Sequence, residues 1–222
     1  MAVALSDLRT RAQARGDFES DANVSTAAWN AFINGSRKKL RRLLVAANPQ
    51  QFVASKDFSL TGTTHTYVLT SNVPTFWKAL SLDKLNSSNA DDFEKVKRFL
   101  WAERNRLGQR SYRIYASTLE VRPASLNVGD YRLWFIEQPV LLVADGDALT
   151  LVEDMWDEFI VLEAAVKARR RQQKSADDLV SELSDLVKEI PRMAGDNDVG
   201  EADRILDVDD DGSFWRPALP GA

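Results

Sequence analysis

Apolar residues recur at helical spacing in four stretches of the chain and at strand spacing in the interval between them. Leu8 and Ala12 lie four apart, behind Ser6, a residue type that caps helices, and Asp7, an acid where the helix dipole favours one. The spacing predicts a short helix that Gly16 stops. Trp29, Phe32, Ile33, Ser36, Leu40, Leu43, Leu44 and Ala47 predict a longer helix, capped by Ser25 or Thr26 and ended by Asn48-Pro49. Met155, Phe159, Leu162 and Val166, with Trp156 and Ile160 beside them, predict a third helix of roughly 30 Å. Acids Glu153, Asp154, Asp157 and Glu158 sit in its first turns, and Lys167, Arg169, Arg170, Arg171 and Lys174 at its end, matching the helix dipole at both ends. Leu179, Leu183, Leu186 and Ile190 form the seam of a fourth helix, starting near Ser175 and ended by Pro191 and Gly195.

Between the second and third helices the period changes. Residues 52–60 are β-like, 61–63 form a turn, and 64–69, rich in β-branched and aromatic residues, read as the return strand of a hairpin. Residues 77–85 predict a third strand after a turn at Asn72-Val73-Pro74. The segment 93–107 fits neither period; its end, 99–106, reads as one or two helical turns that Gly108 breaks. Tyr112, Ile114 and Leu119, Val121 flank a tight turn near Ala116-Ser117, and 131–136 is a strong strand. Each predicted helix has a single apolar stripe and needs a partner. The expected fold is therefore α+β: a four-helix bundle formed by the N- and C-terminal helices, with an inserted antiparallel β lobe of about six strands and an extended acidic C-terminal arm. The boundaries that follow are 1–51 and 149–195 for the two halves of the bundle, 52–148 for the β lobe and 196–222 for the arm.

Charge sharpens the last boundary. The 222 residues carry a net charge of −4, yet residues 196–222 hold eight acids and two bases, which leaves the body near neutral. A strongly basic nucleic-acid footprint is absent overall. The chain has no cysteine, which removes disulfides, thiolate metal sites and cysteine nucleophiles together and suits a reducing compartment. No apolar run approaches the roughly 18 residues of a membrane span, and the N-terminus is polar by residue 6, so neither a membrane nor a secretory signal is expected.

Candidate chemistry is sparse. The one histidine, His65, stands in a Thr-rich segment without acidic or nucleophilic neighbours and reads as a surface residue. Asp207, Asp209, Asp211 and Gly212 match the first half of a calcium loop, but Ala218 falls where the loop needs its bidentate glutamate, so a solvated acidic segment is the better reading. No glycine-rich phosphate loop, GxSxG motif or paired-carboxylate geometry stands out, and no enzyme activity, cofactor or metal is expected. Glu103, Arg104 and Arg106, beside Trp101, form the densest polar cluster; they read either as a subunit-contact turn or as an arginine site for phosphate or carboxylate. The basic runs 37–42, with Arg37, Lys38 and Arg41, and 167–174, with Arg169, Arg170 and Arg171, read as channel or contact surface, or as cations that complement helix C-termini. Residues 196–212 are too acidic and too poor in apolar groups to pack alone, yet Phe214, Trp215 and Pro217 follow. Aromatic anchors on such an arm fit a partner surface or tuck back onto their own helices.

These residues resemble the head-to-tail adaptor (head-completion, connector) proteins of tailed bacteriophages. The resemblance rests on the opening helix Leu5-Ser6-Asp7-Leu8-Arg9-Thr10-Arg11-Ala12, on Trp29-Asn30-Ala31-Phe32-Ile33-Asn34, and on the segment from Phe58 to Leu69. It continues through Phe99-Leu100-Trp101-Ala102-Glu103-Arg104-Asn105-Arg106, Tyr112-Arg113-Ile114, Leu119-Glu120-Val121-Arg122-Pro123-Ala124, Tyr131-Arg132-Leu133-Trp134-Phe135 and Trp156-Asp157-Glu158-Phe159-Ile160-Val161. It stops before residue 191. The resemblance implies a structural virion protein at the neck between capsid and tail, made in the host bacterial cytoplasm. It implies a dodecameric ring below the portal that extends the DNA channel and docks the tail or nozzle protein, with no active site and only non-specific contact with packaged DNA. The competing expectation is a non-enzymatic nucleic-acid-binding or regulatory module that uses the basic helix ends.

Overall fold

The computed structural model describes residues 2–18, 23–61, 65–86, 92–103 and 108–196. Among the described residues are six α-helices and seven strands. Helix α1 (Leu5–Gly16) leads into α2 (Thr26–Ala47), followed by β1 (Val53–Leu60), β2 (Thr66–Val68), the single turn α3 (Leu69–Asn72), β3 (Phe76–Leu85), β4 (Phe93–Arg98), β5 (Ser111–Tyr115), β6 (Thr118–Arg122) and β7 (Gly129–Glu137). The chain then returns to helix through α4 (Leu151–Asp154), α5 (Asp157–Arg171) and α6 (Asp177–Asp196).

The fold is α+β, but the expected four-helix bundle with an inserted antiparallel lobe is overturned. The strands form one seven-stranded mixed sheet in the order β1-β7-β3-β4-β5-β6-β2, with β4 and β5 parallel, curled into a nearly closed barrel. The predicted 58–69 hairpin does not form. β1 pairs with β7 and β2 with β6, so the two are opposite edges of the sheet. The curl brings these edges together through side chains: the rings of Phe58 on β1 and Tyr67 on β2 stack at 4.2 Å, and Phe58 also stacks on Tyr131 of β7 at 5.7 Å. Leu60, Leu69, Leu82, Leu119, Val121 and Leu133 fill the interior beside them. The ambiguous segment resolves into β4 and a 3-10 turn at Trp101–Glu103.

The helices are not four equivalent members of a bundle. α5 is central, packed by α1, α2 and α6, and buried without interruption from Phe159 to Val166. Ala164, Ala165 and Ala168 make this possible, because small residues let neighbouring helices approach on several sides. The helical core also takes in Phe52 and Ile136, with Trp77 packed against it, while the barrel holds a second core of its own. Along β7 the pleat divides the two cores: Tyr131, Leu133 and Phe135 enter the barrel, and Ile136 faces the helices.

Several helix ends differ from expectation. Ala4, not Ser6, is the N-cap of α1, held extended by its own bridge with Ala148. Asp17, in the left-handed region at φ 60°, ends α1. Gly16 is needed for packing instead: a Cβ there would stand 2.6 Å from the ring of Phe18. Ser25 caps α2 by accepting from the Ala28 N–H, as its position predicts. The expected 30 Å helix breaks at Met155-Trp156, which leaves Met155 exposed rather than in the seam. Pro191 lies inside α6, which runs on to Asp196; the side is solvent-exposed, so water can serve the carbonyl that loses its N–H partner.

Candidate functional site

The segment between β7 and α4, residues 138–150, has no regular structure, yet polar groups from three helices fix its backbone. Asn34 on α2 both donates to the Leu142 carbonyl and accepts from the Leu142 N–H, each at 2.9 Å. Arg37 donates to the Val140 carbonyl. Asp147 turns back to accept from the Val143 and Ala144 N–H groups at 2.7 and 2.9 Å, which holds its carboxyl below the usual range. The residues before α1 add a short antiparallel seam: Leu149 donates to the Val3 carbonyl, and Leu5 to that of Asp147. Arg9 reaches Asp145 at 2.9 Å.

The anchor beneath this connector is a buried ion triad. Glu153 on α4 is fully buried. Its Oε2 accepts from Arg37 Nε and Nη2 at 2.8 and 2.7 Å, and its Oε1 from Arg41 Nε and Nη2 at 3.0 and 2.8 Å. Thr150 adds its hydroxyl at 3.0 Å, and Arg41 lies over the Phe52 ring at 4.2 Å. Arg37 and Arg41 are therefore interior residues. The expected channel or contact surface of the run 37–42 loses both, because each guanidinium is spent on one buried carboxylate.

Burial alone would raise the Glu153 pKa, but the two guanidinium groups outweigh it and hold the carboxyl below the ordinary range. Glu120, held by Arg113 at 2.5 Å and Arg122 at 2.6 Å, behaves alike: burial raises its pKa, the arginines lower it further, and the net shift is downward. A depressed folded pKa contributes stability above the unfolded value, and that contribution is lost as pH falls through the folded value. Stability should therefore drop steeply from about pH 4.5 downward. Glu153→Gln should flatten this slope, so that its stability deficit shrinks between about pH 5 and pH 3; denaturant titrations across that range check it. An unchanged slope would remove Glu153 from the acid transition.

The connector holds large apolar side chains in solvent on this fixed backbone. Val140 is 67%, Leu141 54% and Val143 74% exposed, followed by Leu151 at 79% and Met155 at 66%. Leu142 and Leu149 point inward between them. Single exposed apolar residues need no explanation; here a strip of three stands on the braced connector, and Leu151 on α4 and Met155 after it add two more. Two shallow depressions adjoin the connector. One, of about 350 Å³, is lined by Val140, Leu141 and Thr150; the other, of about 140 Å³, by Lys38, Arg42 and Trp77; Gln138 and Pro139 line both.

The remaining predicted residues are scattered. Lys38 is exposed on α2. Arg169 is spent internally, on Asp17 at 2.5 Å and Asp178 at 2.9 Å, so it braces the ends of α1, α5 and α6. Arg170 is exposed, and Arg171 lies 6.0 Å from the Phe32 ring. Trp101 is half-exposed and stacks on Arg113 at 3.8 Å, with Tyr115 on the same guanidinium at 4.4 Å. Arg104, Arg106, Phe214, Trp215, Pro217 and the acidic run 207–211 lie outside the described residues, as does the side chain of Glu103. His65 uses its backbone carbonyl to accept from the Val121 N–H.

Sequence reading missed both the strip and the triad. The triad left one local signal: Thr150-x-x-Glu153 is a capping box, which places Glu153 at a helix start. Among the described residues, no three His, Asp or Glu side chains gather as metal ligands, and no helix is long and apolar enough to cross a membrane. No family model matches the chain, and no curated protein matches it.

Proposed function

We propose that this protein is a structural head-to-tail adaptor of a tailed bacteriophage, assembling as a ring beneath the portal, extending the DNA channel and docking the tail. The reading joins the resemblance of residues 5–161 to that family with one observation: the exposed apolar residues Val140, Leu141 and Val143 on a braced connector, with Leu151 and Met155 exposed beyond it. An assembly subunit needs a surface that is exposed before assembly and already in its bound shape, so that association costs little ordering entropy. A fixed backbone carrying exposed aliphatic side chains meets that need. Portal, neighbouring copy and tail protein are the partners, and the arm with Phe214 and Trp215 supplies further anchors.

The nucleic-acid alternative is weaker, because Arg37 and Arg41 are committed to the buried Glu153 and Arg169 to Asp17 and Asp178 of the same chain. Light scattering on a sizing column, with and without the cognate portal ring, separates the two. The adaptor reading expects a mass increase of about a dozen chains per portal ring. No association at any salt concentration, together with a gel shift on DNA, would replace it with the nucleic-acid module.

A further inference from the structure

We propose that the paired depressions beside the connector receive residues 207–215 of a neighbouring copy of this chain, with its acids at Lys38 and Arg42 and its Phe214 and Trp215 on Val140 and Leu141. The inference deepens the ring reading and rests on it. The two depressions share Gln138 and Pro139; the smaller is cationic, and the larger sets the aliphatic Val140 and Leu141 beside the mutually balancing charges of Arg37, Arg41, Glu137 and Asp147. At one end Lys38 and Arg42, one helical turn apart on α2, stand beside the Trp77 ring and make no ion pair among the described residues. At the other end Val140 and Leu141 are exposed. A segment with acids close to large apolar groups would suit both depressions.

The chain contains such a segment. Asp207, Asp209, Asp210 and Asp211 precede Phe214 and Trp215 with only Gly212 and Ser213 between. Asp211 and Phe214 can stand about 10 Å apart in an extended chain, and the two depressions adjoin through Gln138 and Pro139. Carboxylates opposite cations give register, and the aromatic pair gives buried area.

A neighbouring copy is favoured over the same copy by the placement of the elements. Lys38 and Arg42 project from the side of α2 away from its buried stripe of Ile33, Leu40 and Leu44. α6, which leads to the arm, packs through Leu179, Leu183 and Ile190 into the core that this stripe helps form. α6 thus packs on the side of α2 opposite to Lys38 and Arg42. A subunit that gives an arm on one side and takes one on another makes heterologous contacts, which close into rings.

The chain has no cysteine, so introduced cysteines report single positions. In the full-length chain, Val140→Cys with Ser213→Cys is treated with a short bis-maleimide, with and without the portal ring, and run on a denaturing gel. The expected product is a ladder of dimers and higher species under at least one condition. Adding Lys38→Glu and Arg42→Glu should reduce its yield about tenfold. A product of monomer mass with an internal link, no product under either condition, or a ladder indifferent to the charge reversal would each overturn the proposal. Portal association without a ladder would leave the adaptor reading standing and remove only this contact. A ladder without portal association would do the reverse.

Discussion

Glu153→Ala is expected to lower stability by about 3–5 kcal/mol, because it leaves two guanidinium groups buried without a counter-charge. For a chain of this size that is a fall of roughly 10 °C in the unfolding midpoint. Arg37 is also held by the Val140 carbonyl and Arg41 by the Phe52 ring. Replacing all three charges with apolar residues of similar volume (Arg37→Met, Arg41→Met, Glu153→Leu) should recover most of the loss, since no ion then remains to be desolvated. That triple variant still gives up the bond from Arg37 to the Val140 carbonyl, so amide exchange at residues 140–144 should quicken even where global stability returns. Thermal unfolding and hydrogen exchange check the two halves. A Glu153→Ala variant within about 1 kcal/mol of the parent would mean that the triad does not hold the connector down.

Val140→Asp with Leu141→Asp is expected to do the opposite: to leave the fold alone and abolish assembly. Both side chains are already in solvent, so the free chain should stay within about 0.5 kcal/mol of the parent. An interface that covers them would lose two apolar anchors and gain two desolvated carboxylates, which should weaken association with the portal ring at least a hundredfold. Sizing-column mass and unfolding midpoint, measured together, decide it. Unchanged assembly would take the strip out of the interface, and a large fall in midpoint would show that it serves the fold instead.

The helices were legible because their stripes are local. Ile33, Leu40 and Leu44 announce α2, and Leu179, Leu183 and Ile190 announce α6, whatever lies opposite. Strand partners were not, since β1 and β2 adjoin in sequence yet pair with β7 and β6, a choice made by which side chains fill the barrel. The bundle expectation failed on α5, whose Ala164, Ala165 and Ala168 sit between larger residues and read as gaps in a stripe; in the structure all three are buried.

The candidate site was hidden for a related reason. Arg37 and Arg41 look like part of a solvated basic run, and only the packing of α4 against α2, more than a hundred residues later in the chain, turns them inward to Glu153. The strip at 140–143 looks like ordinary connector sequence. Its exposure becomes informative only once Asn34, Arg37 and Asp147 are seen to fix the backbone that carries it.

A reconstruction by electron cryomicroscopy of the protein bound to its portal ring tests the central claim most directly. The account predicts a closed ring below the portal, with the helical layer and the barrel fitting its density and the strip from Val140 to Met155 covered by portal or by a neighbouring copy. Empty portal rings, or a bound ring in which that strip faces solvent on every copy, would contradict it.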